Sequence, residues 1–310
     1  MPNPPWIPVN DFAFPAGWAD AAQIDERARW YCQQLEEGQI LFFPTPPFHL
    51  PEEERKFLLA QRPSGSRLHK NVSYRSAQDV LRGFTAEEPT QSRMHQAMRN
   101  YSTQVIGFLT RFLAPYEGQW LLDYASFRPF EEQGRDLPLH KRNDLLHVDA
   151  FPSRPTRGGR ILRVFTNLSP DRPRVWLTTD RFGNLAPRFA FEAGLRQIAA
   201  DGSFLGRQFR RLGRIVGLPG ADRSPYDRFM LRFHDYLKEN AAFQAGCVKT
   251  RLEFPPMGTW LVFSDGVPHA VLSGQFALEQ TLLIPPSALV AAQNSPLCVL
   301  EALCGRPLAG

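Results

Sequence analysis

The chain is short of cysteine, of long apolar runs and of lysine, and each shortage removes a class of protein. Its four cysteines (Cys32, Cys247, Cys298 and Cys304) in 310 residues have neither the density of a small disulfide scaffold nor the close spacing of a zinc or iron–sulfur site. The N-terminus carries no charged-then-apolar leader, so a reduced, cytoplasmic protein is expected. No stretch approaches the ~18 consecutive apolar residues of a membrane-spanning helix, which leaves peripheral contact with a membrane surface as the one membrane role. Lysine supplies only five of 36 basic residues (Lys56, Lys70, Lys141, Lys238 and Lys249). The arginine excess suits a polyanionic substrate, because a guanidinium grips carboxylates and phosphates through two parallel bonds; it suits an arginine-biased codon usage equally well. The net charge is +5, and 24 Phe, 7 Tyr and 6 Trp argue for a packed core and against disorder.

Against this background one stretch carries chemistry. In Leu145-Leu146-His147-Val148-Asp149 the histidine and the acid are two apart, so on an extended strand both side chains face the same way, whereas on a helix they would diverge by roughly 200°. A second histidine, His269, follows the apolar run 258–263 and a turn. A lone His-x-Asp is often just a core histidine bonded to an acid. Two histidines and a carboxylate at strand ends, however, are the facial ligand set that suits non-haem Fe(II) and leaves three positions open. Such strand ends belong to a double-stranded β-helix, or jelly roll.

Taken in order, residues 1–20 are Pro-rich and read as irregular, 21–37 as a helix, 39–44 as a strand, 51 onward as a helix with acids in its first turn, and 90–113 as a long helix. His69-Lys70-Asn71 reads as a surface loop. Residues 120–130 read as the first core strand, with Arg128 near its end. Arg163 interrupts the apolar strand 160–167, where a charge needs an acid or an anionic ligand opposite it. Arg174 opens the next strand, 172–179. Residues 190–245 read as a helical insert; within 204–216 the apolar positions cover roughly 140° of a helix with arginines opposite, a pattern of a core-packed helix or of one meeting anionic headgroups. Strands resume at 250–254, 258–263 and 278–284. The expected fold is α+β: one domain, 1–310, with an N-terminal helical part (1–118) and a jelly-roll core (119–286) that carries the insert.

Several segments then resemble a known family: His69-Lys70-Asn71-Val72-Ser73-Tyr74, Leu146-His147-Val148-Asp149-Ala150-Phe151-Pro152, residues 35–44 and 159–167, and the run from His269 to Thr281. The chain is similar to the Fe(II)/2-oxoglutarate-dependent oxygenases and, more narrowly, to the Kdo (3-deoxy-D-manno-oct-2-ulosonic acid) hydroxylases. The resemblance implies His147, Asp149 and His269 as iron ligands, Fe(II) and 2-oxoglutarate as cofactors with O2 as co-substrate and ascorbate assisting, and hydroxylation at C3 of the Kdo of a lipid A glycolipid in lipopolysaccharide biosynthesis. It also implies work at the inner face of the cytoplasmic membrane. Many superfamily members anchor 2-oxoglutarate with an arginine roughly ten residues beyond the second histidine; Leu278-Glu279-Gln280-Thr281 offers no base there. The anchor passes to Arg163, with Arg128 and Arg174 in reserve and Asn167, Thr166 and Thr281 as hydrogen-bonding helpers. Rival readings are an oxygenase of nucleic acid or protein and a non-enzymatic jelly-roll module. The basic loop His140-Lys141-Arg142 has no interleaved aromatic for base stacking, so no nucleic-acid partner is expected.

Overall fold

Alternation along two neighbouring strands sets the architecture. In β6 (Arg160–Asn167) Leu162 and Val164 pack to one side and Phe165 to the other; β11 (Ala277–Ile284) pairs with it antiparallel, sending Leu278 and Leu282 to the first side. The computed structural model describes residues 6–10, 21–61, 71–200 and 223–309. Around the central pair lie β1 (Trp6–Pro8), β2 (Ile40–Phe43), β3 (Val72–Arg75), β4 (Val80–Arg82), β5 (Leu121–Arg128) and β9 (Thr259–Phe263), in the order β1-β2-β9-β6-β11-β5-β3-β4. A second sheet has the order β10-β7-β8, from His269–Ser273, Arg174–Thr178 and Thr250–Phe254.

Helices α1 (Ala21–Glu36), α2 (Glu52–Ala60) and α3 (Thr90–Phe112) pack into the cluster on the apolar side of the large sheet. Tyr101, Val105, Phe108 and Phe112 recur at helical spacing on α3 and join Leu41, Phe43, Leu162, Val164 and Leu282 in one cluster. The inner side faces the second sheet across Phe42, Phe165, Trp176, Phe254 and Trp260, with the Phe254 and Trp260 rings stacked 3.8 Å apart. Two sheets face to face, closed by aromatic rings, make the expected jelly roll. The outer side of the small sheet is covered by α4 (Phe182–Phe189), α5 (Leu195–Ala200), α6 (Pro225–Glu239), α7 (Ala241–Gly246) and α8 (Pro296–Cys304), through Val148, Phe182, Leu185, Phe229, Phe233, Ala270 and Leu300. Helix α6 begins where Ser224 caps the Asp227 amide and Pro225 occupies a first-turn position with no N–H to satisfy.

Two expectations need correction, the irregular N-terminus and the regular strand under His147. Trp6–Pro8 is not irregular: it adds a parallel edge strand to β2, an edge being where a strand tolerates proline. Asn71, read as loop, leads into the β3–β4 hairpin, which places Val72 and Tyr74 in the helical core. His147 lies in no regular strand; it makes a single antiparallel bridge to His269, which extends the small sheet by one rung. The segment 204–216, with His69 and Lys70, lies outside the described residues. Among the described residues no helix is long and apolar enough to cross a membrane.

Candidate metal centre

The ligand-bearing segment is held on both edges. On one, the His147 N–H donates to the His269 carbonyl at 3.1 Å and the His269 N–H to the His147 carbonyl at 2.9 Å. On the other, the Gln244 side chain takes the role of a strand: its Oε1 accepts from the Leu146 N–H (3.1 Å) and its Nε2 donates to the Leu146 carbonyl (2.9 Å). The Asp149 N–H donates to the Ser264 carbonyl at 2.9 Å, just past the end of β9. Leu146 and Val148 then bury into the outer helical cluster, while His147 and Asp149 turn the other way.

One ligand atom from each of His147, Asp149 and His269 falls within 4.8 Å of the others. His147 Nδ1 donates to the Leu145 carbonyl (2.7 Å) and His269 Nδ1 to the Val267 carbonyl (2.9 Å). Each ring is thereby fixed in the tautomer that leaves Nε2 with its lone pair free, the form a metal needs. His147 Nε2 stands 3.8 Å from Asp149 Oδ1. Trp176 stacks on His269 at 4.9 Å and 19°, and fixes the plane of that ring. Burial holds both imidazoles below their ordinary pKa, and for His147 the neighbouring His269 and His234 add to the effect. Burial alone would raise the Asp149 carboxyl; the Arg163 guanidinium, with the two imidazoles and Ser264, outweighs it and holds the group well below the usual carboxylate range. Two neutral imidazoles and a carboxylate, with Asp149 Oδ2 buried and lacking a hydrogen-bond donor, form a donor set that fits Fe(II).

Arg163 lies beside the acid, its Nε 2.8 Å from Asp149 Oδ2 at an angle that makes an ionic contact and not a hydrogen bond. It begins a chain of ion pairs along the inner side: Arg163 with Glu279, Glu279 with Arg128, Arg128 Nη1 3.9 Å from Glu132, and Arg174 Nη2 3.4 Å from Glu132. Burial and the flanking arginines leave the Glu279 carboxyl lowered on balance. Burial pulls Arg174 down to about 10, still cationic at neutral pH, and its Nη1 donates to the Gly274 carbonyl. The Thr281 hydroxyl donates to Glu279 at 3.0 Å, level with Arg163.

Two of the named helpers are engaged elsewhere. Asn167 donates to the Arg172 and Phe254 carbonyls and accepts from the Ser169 N–H, so its amide is consumed by the turn that ends β6. Thr166 meets the Thr259 hydroxyl (3.0 Å) on the helical side. Sequence reasoning missed Gln244 and His234. His234, on α6, donates from Nδ1 to the Val148 carbonyl (2.7 Å) and sets its ring edge-on to His147 at 4.9 Å. Its one local signal is its place beside Phe233 on the apolar side of a helix.

The comparisons with known proteins agree with this geometry. Residues 18–307 match the family described as 3-deoxy-D-manno-oct-2-ulosonic acid (Kdo) hydroxylase. The crystal structure of the Kdo hydroxylase KdoO, a non-haem Fe(II) α-ketoglutarate-dependent dioxygenase, in complex with cobalt(II) is 33% identical, with a TM-score of 0.84 over 99% of this chain and 98% of that one. The KdoO complex with α-ketoglutarate and Fe(III) is 32% identical, with a TM-score of 0.82 over 98% and 97% of the two chains. Its complex with succinate and Fe(III) gives 32% identity and a TM-score of 0.82 over 99% and 98%. Among curated proteins none matches. With a family match across nearly the whole chain, and similar solved relatives covered almost end to end, the chain belongs to the Kdo hydroxylase family.

Proposed function

We propose that this chain is an Fe(II)- and 2-oxoglutarate-dependent hydroxylase of Kdo, acting at C3 of the sugar acid in Kdo–lipid A. The observation that carries the reading is the meeting of His147, Asp149 and His269, in the correct tautomers, in a chain of this family. His147 and His269 would hold the iron through Nε2 and Asp149 through a carboxylate oxygen. Ferrous iron with 2-oxoglutarate and O2 supplies an oxidative decarboxylation to succinate and CO2, coupled to insertion of oxygen into a C–H bond.

The protein's own share is placement and charge. Leu145, Val267 and Val148 carbonyls fix the rings of His147, His269 and His234. Arg163 keeps Asp149 ionised, and as the cation next to the ligand set it is the proposed anchor for a co-substrate carboxylate, with Thr281 on the same rung and Arg128 and Arg174 farther along. The aromatic cluster of Phe165, Trp176 and Trp260 closes the space behind and excludes water. A Kdo-containing glycolipid bears carboxylate and phosphate groups, which suits the arginine bias; contact with the inner face of the cytoplasmic membrane, and a single domain over 1–310, belong to the same proposal. The deciding experiment is mass spectrometry of Kdo–lipid A incubated with protein, Fe(II), 2-oxoglutarate and ascorbate. Gain of one oxygen on the Kdo unit is expected; unchanged mass with active protein would remove the reading.

A further inference from the structure

Opposite Thr281, strand β5 has one residue too many. Gln280 pairs with Ala125 and Leu282 with Leu122, so Asp123 and Tyr124 share a single place in the ladder. Such bulges re-aim side chains, and here an acid and a ring are brought together where Arg154 meets both. Arg154 pairs with Asp123 and lies 4.1 Å from the centre of the Tyr124 ring and 4.4 Å from that of Phe151. Arg75, the last residue of β3, lies 4.7 Å from the same Tyr124 ring. Phe151 in turn stands 5.7 Å from Arg163, which touches Asp149. Guanidinium and ring alternate from Arg75 through Tyr124, Arg154 and Phe151 to the arginine beside the metal ligands.

The charges along the outer part of this row do not balance. Asp123 is paired with Arg154, while Arg75 has no carboxylate partner among the described residues. The Nε atoms of both arginines are buried without an acceptor. A ring face compensates a cation only in part, and a half-buried guanidinium retains a demand for a negative oxygen. We propose that Arg75 and Arg154, set around Tyr124, form the subsite for an anionic oxygen group of the substrate, a sugar-acid carboxylate or a phosphate, and hold it one aromatic ring away from Arg163. The proposal rests on the sugar-acid hydroxylase reading above and names the part of the site that would select its substrate.

Arg75 is the residue to change, because no ion pair among the described residues depends on it. The cobalt-loaded full-length protein is titrated calorimetrically with free Kdo and, separately, with inorganic phosphate, as wild type, Arg75→Gln and Arg75→Lys. Wild type is expected to bind one of the two, Arg75→Gln to bind it about tenfold or more weakly, the loss expected for a charge-assisted hydrogen bond, and Arg75→Lys to recover part of the affinity. Loss confined to Kdo assigns the group to the carboxylate, and loss confined to phosphate to a phosphate. Equal affinities in wild type and Arg75→Gln, or no binding of either probe by wild type, would overturn the subsite. Absence of hydroxylated Kdo–lipid A with wild-type protein is a separate failure, of the proposed function, and leaves the calorimetric result standing.

Discussion

His147 and His269, 122 positions apart in the sequence, form a single antiparallel bridge in which each main chain donates to the other. Because that pairing uses only backbone atoms, either imidazole can be removed without unmaking it. His147→Ala, Asp149→Ala and His269→Ala are each expected to abolish 2-oxoglutarate turnover while keeping the wild-type far-ultraviolet circular dichroism. Turnover retained in any one of the three would exclude that residue as a ligand.

Gln244 and His234 act on the ligand segment from the outer helices. Gln244→Ala strips partners from both main-chain groups of Leu146, at about 1–3 kcal/mol for each buried group left unbonded. The expected results are a lower unfolding temperature and weaker metal binding together. His234→Ala leaves the ligand set whole but frees the Val148 carbonyl and one side of the His147 ring; a loss of about 10–100-fold in cobalt affinity is expected, as for other outer-shell partners. Wild-type cobalt titration curves in both variants would reduce these contacts to packing.

Arg163→Ala is expected to raise the KM for 2-oxoglutarate by about tenfold to a hundredfold, through loss of charge-assisted bonds. The assay belongs at pH 8, where Asp149 stays ionised even without its guanidinium neighbour. An unchanged KM would move the anchor to Arg128 or Arg174, and the same assay on those two variants would decide between them.

The buried histidines predict how stability follows pH. His147, His234 and His269 all have pKa values held below the ordinary 6.5, chiefly by burial. Between the lowered native value and 6.5 the unfolded chain takes up protons that the native protein refuses. Their contribution is therefore complete above pH 6.5 and is lost as the pH falls below it, at up to ~1.4 kcal/mol per pH unit for each group. Asp149, whose value is lowered from 3.8, adds its own loss only at more acidic pH. The metal-free protein should show a falling unfolding temperature from pH 6.5 to 5, and a calorimetric scan that stays flat through that interval would contradict it.

What the sequence revealed follows from how local each signal is. The His147-x-Asp149 spacing was readable because an extended backbone presents alternate residues to one side, and Arg163 because a charge within Ile161-Leu162-Arg163-Val164-Phe165 must find an opposite charge; it finds Asp149 and Glu279. Gln244 and His234 were unreadable because their partners are main-chain groups 98 and 86 residues away. The Asp123–Tyr124 bulge is a property of strand pairing, invisible until Gln280 and Leu282 have been matched to β5. What Asn167 bonds to was equally hidden, because the carbonyls and amide it meets come together only once the turn after β6 has formed against β8.

The two histidines hang from the small sheet, whereas Asp149 is pinned to Ser264 at the end of the large one. An ion taken up by all three would rivet the leaves of the sandwich together. Withdrawing it should loosen that end first, so amide exchange in the metal-free protein should quicken around 145–149 and 264–269 while the aromatic cluster behind stays protected.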